Sequence, residues 1–385
     1  MRLNFCRYFS RILVCLFGCI LAFNAAAQDY SAQFRSRPSQ LKSENVAVVI
    51  NTQDANSVEV GNYYMAARQI PAKNLVKLSF KNSQHYSLHP DELKAFKQKI
   101  TAKLSEDIQV ILLVWTTPYA VGCNSITSAL TLGYDANVCE GTCPVGKNSV
   151  FFNSRSFNPL RDHQIRLTML LPTDDLAVAK AVIDRGVLSG FALNDATGYF
   201  LKTSDVSRSR PREPFFPPDL SQVSSKKIHF RTIRDEHLRD KKDVMFYFTG
   251  QERVQYLSTL NFMPGAIADH LTSVGGAIDH DYQMRATEWL QAGATGSYGS
   301  VSEPCNHWQK FPNPKVLLNH YLAGETLVEA YWKSVKWPAQ GLFIGEPLAA
   351  PYKLSVMPSK APEKVEEKSP EDDAPTEIQE STPKQ

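Results

Sequence analysis

Apolar runs alternate with amphipathic stretches from residue 45 onward, a pattern that predicts strands alternating with helices. Buried strands are predicted at 45–51, 74–80, 108–115 and 165–172, each a run rich in aliphatic residues. Helical spacing is found at 57–71, 89–104 and 173–190. Ser57 and Thr173 are the expected N-caps of the first and last of these helices, and Pro90 lies in the first turn of the middle one. The alternation predicts a parallel sheet with helices on both faces.

The second half of the chain repeats this logic. Strands are predicted at 198–205, 243–250, 294–301 and 341–352, the last with a turn. Helices are predicted at 284–293, ending at Gly293, and at 314–335, broken at Gly324, while 226–240 is expected to be partly helical. The stretch from Thr116 to Leu160 is polar and carries cysteines, and we expect loops there. The fold class predicted is therefore α/β, three αβα layers with a mainly parallel sheet and two side-by-side subdomains.

The domain boundaries follow from composition. We expect a signal peptide at 1–27, a lead-in at 28–44, a first subdomain at 45–206, an exposed Pro/Arg-rich crossing at 207–222, a second subdomain at 223–357 and a disordered tail at 358–385. The leader has three arginines followed by an apolar core that is too short to favour a membrane span. An A-x-A site after this core predicts cleavage after Ala27. A lipid on Cys19 is the alternative. The protein is then periplasmic or extracellular.

Charge and cysteine content agree with export. The chain has 42 basic and 39 acidic residues, and loss of the three leader arginines leaves 39 of each. That balance excludes a nucleic-acid-binding protein. Four cysteines remain after the leader, and in an oxidising compartment they are expected to form disulfides, with no metal site and no cofactor. Cys139 with Cys143 closes a small loop and leaves Cys123 for Cys305, and two other pairings are possible.

Five motifs are long enough to compare with known families: NSVEVGNYYMAARQIPAKNLVKL at 56–78, PGAIADHLTSVGG at 264–276, WLQAGATGSYGSVSEP at 289–304, KFPNP at 310–314 and GETLVEAYWKSVKWPAQGLFIGEPLAAPY at 324–352. Together they resemble an uncharacterised family of exported bacterial proteins found in genomes that carry exosortase, a proposed protein-sorting transpeptidase. The resemblance covers nearly the whole chain between leader and tail. It implies a role near protein export or surface sorting and brings no activity.

A more distant resemblance is to gingipain-type cysteine peptidases, which have a caspase-like fold. It is carried by the order of FYFTG at 246–250, GATGSYGSV at 293–301, GETLVEAYWKSV at 324–335 and GEPL at 345–348. Aligned in this way, Gln251 stands where that family has its histidine base, and Glu252 where it has glycine. The next strand brings no cysteine. A glutamine amide is no base at neutral pH, so both halves of the catalytic dyad are missing.

Other residues near the same strand ends are candidates for catalysis. His270 is the expected partner of Thr272 or Ser273, with the glycine amides of TSVGG as an oxyanion hole, whereas Cys305 and His307 lie two residues apart on a later loop. Glu252 and Glu303 are a second alternative, because paired carboxylates hydrolyse glycosides when about 5–10 Å apart. A buried hydrogen bond for His270 and a disulfide for Cys305 are the structural alternatives.

The leading functional hypothesis is a catalytically silent relative of these peptidases that binds a peptide or an envelope or exported protein. The cleft expected for it is lined by Thr249, Gly250, Gln251, Glu252, His270, Thr272, Ser300, Glu303 and Trp308. The alternative is a hydrolase with a relocated mechanism, using Ser/Thr–His or Cys305–His307. A third possibility, a structural component of an envelope assembly, predicts stable oligomers.

Overall fold

The computed structural model describes residues 28–81, 86–191 and 194–353. The predicted signal peptide, the alternative lipid site at Cys19 and the predicted tail lie outside the described residues. Fifteen strands are found in this part of the chain: β1 (Gln28–Asp29), β2 (Val46–Asn51), β3 (Leu75–Leu78), β4 (Ser87–Leu88), β5 (Val110–Val114), β6 (Ala120–Val121), β7 (Asn124–Ser125), β8 (Leu167–Leu171), β9 (Ala196–Lys202), β10 (Ser221–Val223), β11 (Ile228–Arg234), β12 (Val244–Gly250), β13 (Phe262–Leu271), β14 (Gly296–Ser300) and β15 (Gly341–Gly345).

The α-helices of the described ranges are short to medium in length. They are α1 (Ala55–Ala67), α2 (Pro90–Thr101), α3 (Ile126–Leu132), α4 (Pro159–His163), α5 (Leu176–Leu188), α6 (Val206–Ser209), α7 (Ala286–Ala292), α8 (Pro314–Leu322) and α9 (Leu327–Ser334). None of the described helices is both long and apolar enough to cross a membrane.

Twelve strands form one sheet, in the order β1-β10-β11-β9-β12-β13-β14-β15-β8-β5-β2-β3. The sheet is mainly parallel, and β15 runs antiparallel to β14. Its central strands, such as β5, β8 and β12, are buried along their whole length, as expected for strands covered on both faces. The predicted α/β class, with a mainly parallel sheet flanked by helices, is confirmed. Strands from both predicted subdomains lie in this one sheet, with β15 next to β8.

Helix starts differ from the prediction in two places. The first helix begins at Ala55 and is capped by Asp54, whose side chain accepts from the Asn56 N–H. Ser57 lies inside that helix instead, buried, and its hydroxyl accepts from Asn51 N and donates to the carbonyl of Val114. In α5 the cap is Asp175 rather than Thr173. A carboxylate at the first turn also interacts favourably with the helix dipole, which explains the choice of aspartate.

Two longer stretches were predicted wrongly. Residues 228–234 form strand β11 rather than a helix, paired in parallel with β9. The stretch 116–160, expected to be loops, contains the buried helix α3. The Ser125 side chain caps this helix by accepting from Ser128 N, and several of its hydroxyls bond the carbonyls of Pro338 and Gly341. The polar residues of this helix therefore bind the chain that leads into β15. They are buried, so the polar composition of the stretch does not mean that it is exposed to solvent.

Candidate functional site

The carboxyl ends of β9, β12 and β13 lie side by side at one edge of the sheet. In the parallel register, Phe248 is opposite Phe200, and Gly250 is opposite Leu271. The residues that follow these ends are Thr203, Gln251 and Thr272, so the fold brings them together. This edge is the position at which open α/β sheets present ligand-binding side chains.

The connection after β9 covers part of this edge; we call residues 203–216 the edge segment. A Cβ on Gly250 would lie 2.1 Å from the carbonyl oxygen of Arg208 and 2.5 Å from the Ser209 nitrogen. Only glycine allows the backbone of the edge segment to come this close to the strand. The Thr203 hydroxyl also donates to the Gly250 carbonyl at 2.7 Å.

Arg208 of the edge segment lies between several of the polar groups. Its Nη1 binds Asp205 at 2.7 Å, and its Nε donates to the Thr272 hydroxyl at 3.3 Å. Its Nη2 is 3.9 Å from the Glu252 carboxylate. Arg208 therefore connects the ends of β12 and β13, and the Thr272 hydroxyl is held by an arginine instead of a base.

Gln251 is buried, with 8% of its surface exposed. Its side-chain Nε2 donates to Glu236 Oε2 at 2.9 Å, and the other oxygen of Glu236 accepts from Ser204 N at 2.8 Å. The Oε1 of Gln251 is buried and has no hydrogen-bond partner in the described part of the chain. An unpaired buried acceptor is costly, so this oxygen is suited to a donor supplied by a ligand.

Beneath this layer lies a fully buried ion pair. The Nη1 of Arg212 binds the Asp269 carboxylate, and its Nη2 donates to the Thr249 carbonyl at 2.6 Å. Both side chains are 1% exposed, and the guanidinium carbon lies 5.4 Å from the centre of the Phe248 ring. The Pro/Arg-rich stretch was expected to be exposed throughout. Arg212 and Ser209 are instead buried, because their polar groups find partners on the sheet edge.

His270 is 1% exposed and uses both ring nitrogens within the core. Its Nδ1 accepts from the Trp289 indole N–H at 2.9 Å, and its Nε2 donates to the Met284 carbonyl at 3.0 Å. Thr272 donates instead to Gln283 Oε1 at 2.9 Å. The predicted His270–Thr272 pair is therefore not formed. Ser273 is half-buried in the turn that follows.

The pH dependence of stability tests this role of His270. Burial lowers its pKa to about 3, against a hydrogen bond to Met284 that favours the charged form. The unfolded chain takes up a proton on this histidine near pH 6.5, and the native protein does not. The stabilisation is complete above pH 6.5 and lost as pH falls toward 3, by about 2 kcal/mol between pH 7 and pH 5. Urea unfolding at both pH values should show this loss.

The matched variant is His270→Gln, which cannot titrate. Its own loss of stability between pH 7 and pH 5 should be smaller than that of the wild type by about 2 kcal/mol. Equal losses in both proteins would assign the pH dependence to other groups and contradict a neutral, buried His270.

The loop after β14 holds the cysteine that was a candidate nucleophile. Cys305 is bonded to Cys143, and Cys123 to Cys139, with Cα–Cα distances of 5.5 Å in both bridges. Disulfides are thus present as predicted, but the Cys139–Cys143 pairing is wrong. A disulfide-bonded sulfur is not a nucleophile, so in this structure Cys305 is not available as the nucleophile of a Cys305–His307 pair.

The remaining candidates of this loop have separate partners. Ser300 is buried and donates to the Ser302 carbonyl at 2.7 Å. Glu303 is exposed and accepts from Cys305 N at 2.6 Å, whereas Glu252 faces Arg208. The rings of Trp308 and Phe215 lie 4.8 Å apart, which joins this loop to the edge segment. His307 lies against Trp337, with 5.6 Å between ring centres.

Four residues that organise the site were not found from the sequence: Arg208, Arg212, Glu236 and Gln283. The two arginines were assigned to an exposed crossing on composition alone. Glu236 lies in a stretch predicted as helix, and only its position after a strand would have placed it at this edge. Among the residues that the structure describes, no group of three or more His, Cys, Asp or Glu is placed to hold a metal ion.

No family model and no curated protein matches this chain. Solved structures with similar architecture include the crystal structure of the Arg-specific cysteine proteinase gingipain R, at 10% identity and a TM-score of 0.45, covering 82% of this chain and 80% of that one. The complex of the gingipain pro- and mature domains from Porphyromonas gingivalis has 10% identity, a TM-score of 0.43 and coverages of 80% and 79%. A structure described as a protease has 11% identity, a TM-score of 0.45 and coverages of 81% and 79%. These values assign neither an activity nor a site to this chain.

Proposed function

We propose that this chain is an exported, non-catalytic binding protein that holds a peptide or another exported protein at the carboxyl ends of β12 and β13. The observation that carries the proposal is the buried, unpartnered Oε1 of Gln251. It lies directly after β12, at the place where a ligand-binding residue is expected in an α/β sheet. The Thr249 hydroxyl is likewise buried without a partner in the described ranges.

The chemistry of these groups favours a ligand rich in N–H donors. A carbonyl oxygen only accepts, so Gln251 requires a donor, and the backbone amides of an extended peptide supply one at every second residue on each side. Directly after this acceptor along the chain, Glu252 and Arg253 are exposed and present both signs of charge. A polar rim around a buried hydrogen-bonding position is typical of protein interfaces.

The partners of the candidate residues support a protein without catalytic activity. His270 is neutral and saturated, Thr272 is held by Arg208 and Gln283, and Cys305 is in a disulfide. Two disulfides fit a protein that works outside the cytoplasm. Periplasmic or extracellular localisation and a link to surface protein sorting belong to this proposal, on the resemblance to exosortase-associated proteins.

A peptide library tests the binding site. Purified protein beginning at Gln28 should select specific sequences from a displayed library of random peptides. Gln251→Met keeps the side-chain volume but removes the acceptor, and we expect it to weaken binding of a selected peptide about fivefold, the worth of one hydrogen bond. Gln291→Met is the matched control, because that glutamine is exposed on α7. Equal affinity of wild type and Gln251→Met would place the site elsewhere.

Cleavage is measured on the same preparation. A diverse peptide mixture incubated with the protein and read by mass spectrometry should show no products beyond the blank. Wild type, Cys305→Ala and His270→Ala should give the same result. Defined cleavage sites that disappear in one of these variants would overturn the non-catalytic proposal and identify that residue as part of a mechanism.

A further inference from the structure

A cavity lies away from the candidate site, at the start of β2 and β5. Its volume is about 460 Å³, within the range of small-ligand pockets. Asn45 and Gln109, which directly precede these two strands, line it together with Gln40 and Leu41. The rest of the lining comes from the segments 106–109 and 155–162, which we call its two walls. We call this cavity the strand-start groove.

The walls of the strand-start groove are tied together by hydrogen bonds. Gln109 is 4% exposed, and its side chain donates to the Glu106 carbonyl at 3.0 Å and accepts from Leu160 N at 3.0 Å. Asn45 Nδ2 donates to the Asp107 carbonyl at 2.9 Å. The buried side-chain amide of Gln109 thus connects the two walls, and the side-chain amide of Asn45 connects Asp107 to the start of β2. The groove is preformed, so a ligand does not have to order it.

Charges of both signs line this groove. Glu106 and Asp107 are exposed on one wall. On the other wall, Arg161 already forms an ion pair with Asp162 at 2.7 Å. This ion pair and a hydrogen bond from the Ser156 hydroxyl lower the pKa of Asp162 to about 2. Arg155 is exposed, and no ion pair or hydrogen bond of its guanidinium is found within the described ranges. The lining therefore carries one cation without a partner in the described ranges, Arg155, and two exposed carboxylates, Glu106 and Asp107.

Phe157 is the aromatic residue of the groove lining. Its ring is half-buried, and on it lie the guanidinium of Arg37, at 4.1 Å from the ring centre, and the ammonium of Lys333, at 5.6 Å. Lys333 is already paired with Glu325 at 2.6 Å and does not compete for a ligand anion. The groove thus offers a cation that can bind a ligand carboxylate and two carboxylates that can bind a ligand ammonium group.

We propose that the strand-start groove binds a short zwitterionic peptide of two or three residues. Its carboxylate would face Arg155, and its α-ammonium would face Glu106 and Asp107. This site is separate from the peptide-binding edge proposed above, and neither proposal depends on the other. A ligand with a single charge, or a neutral one of the same shape, leaves one end of the groove unmatched.

Four forms of one tripeptide separate the contributions of its two charges. The probes are trialanine, its C-terminal amide, its N-acetyl form and the doubly blocked form, each titrated into ¹⁵N-labelled protein and followed by chemical shifts. We expect trialanine to bind in the millimolar range. Each singly blocked form should bind about fivefold more weakly, as expected for the loss of one partly exposed ion pair. Equal binding of all four forms, or no shifts at any concentration, would overturn the proposal.

Charge-specific variants assign the two ends. Arg155→Met should weaken trialanine and the N-acetyl form but leave the amide unchanged, and Asp107→Asn should weaken trialanine and the amide but leave the N-acetyl form unchanged. Arg35→Met and Asp91→Asn are controls, because both residues are exposed outside the groove. Gln251→Met should bind trialanine like the wild type. A uniform loss for all probes in either groove variant would indicate a structural effect and contradict the assignment.

Discussion

Replacing Cys143 and Cys305 together by serine is expected to lower the free energy of unfolding by about 5 kcal/mol, the largest effect of any change considered. The bridge joins residues 162 positions apart, and closing so long a loop restricts the unfolded chain strongly. It also fixes the loop after β14 to the segment that follows α3. Urea unfolding of the oxidised wild type and of the double variant measures the difference.

The second bridge is the matched control. Cys123 and Cys139 are 16 positions apart, so replacing both by serine should lower the free energy of unfolding by only about 3 kcal/mol. Both variants lose the same number of sulfur atoms, and loop length is the main difference between them. An equal or reversed order would show that native contacts of the bridges matter more than the entropy of the unfolded chain.

Asp269→Ala is expected to cost about 3–5 kcal/mol, because it leaves the guanidinium of Arg212 buried without its counter-charge. Both partners are 1% exposed, so water cannot replace the lost carboxylate without opening the sheet edge. Thermal or urea unfolding at pH 7 measures the effect. The loss should also detach the edge segment from β12, since Arg212 holds that segment to the Thr249 carbonyl.

Asp219→Ala provides the comparison on the surface. It removes the partner of Arg231 in an ion pair whose side chains are 45% and 41% exposed, and should cost at most about 1 kcal/mol. The double variant Asp269→Leu/Arg212→Met should recover part of the stability lost in Asp269→Ala, because it removes both buried charges. A double variant that is less stable than Asp269→Ala would show that Arg212 stabilises the edge without its ion pair.

The sequence predicted strands and helices best where the hydrophobic pattern was long and a residue such as glycine marked the end of the element. β12 and α7 lie where expected, the latter ending at Gly293, and the α8–α9 break falls at Gly324, whose φ of 99° favours glycine. β11 lies in the stretch 226–240, for which a partly helical structure was expected. Polar residues alternate with apolar ones at its start, a period of two that is typical of a strand with one buried face, and β11 pairs in parallel with β9.

The sequence predicted where the candidate residues lie in the sheet, but not which residues contact them. Gln251 and Thr272 do lie together at the carboxyl ends of adjacent strands, which follows from parallel topology. The roles of Arg208 and Arg212 depend on contacts between segments more than 30 residues apart along the chain, and composition marked that segment as exposed. The disulfide pairing could not be predicted for the same reason: it is set by which loops the sheet brings together.

The place of β15 in the sheet has a consequence for how the chain assembles. This last strand lies between β14 and β8, so β8 has no neighbour on that side until residues 341–345 have arrived. A polypeptide that crosses a membrane from its N-terminus would present the apolar β8 with one edge unpaired, while most of the later strands are still to come. Fragments that stop before residue 341 should therefore aggregate, and a holdase that covers such an edge should raise the yield of folded protein.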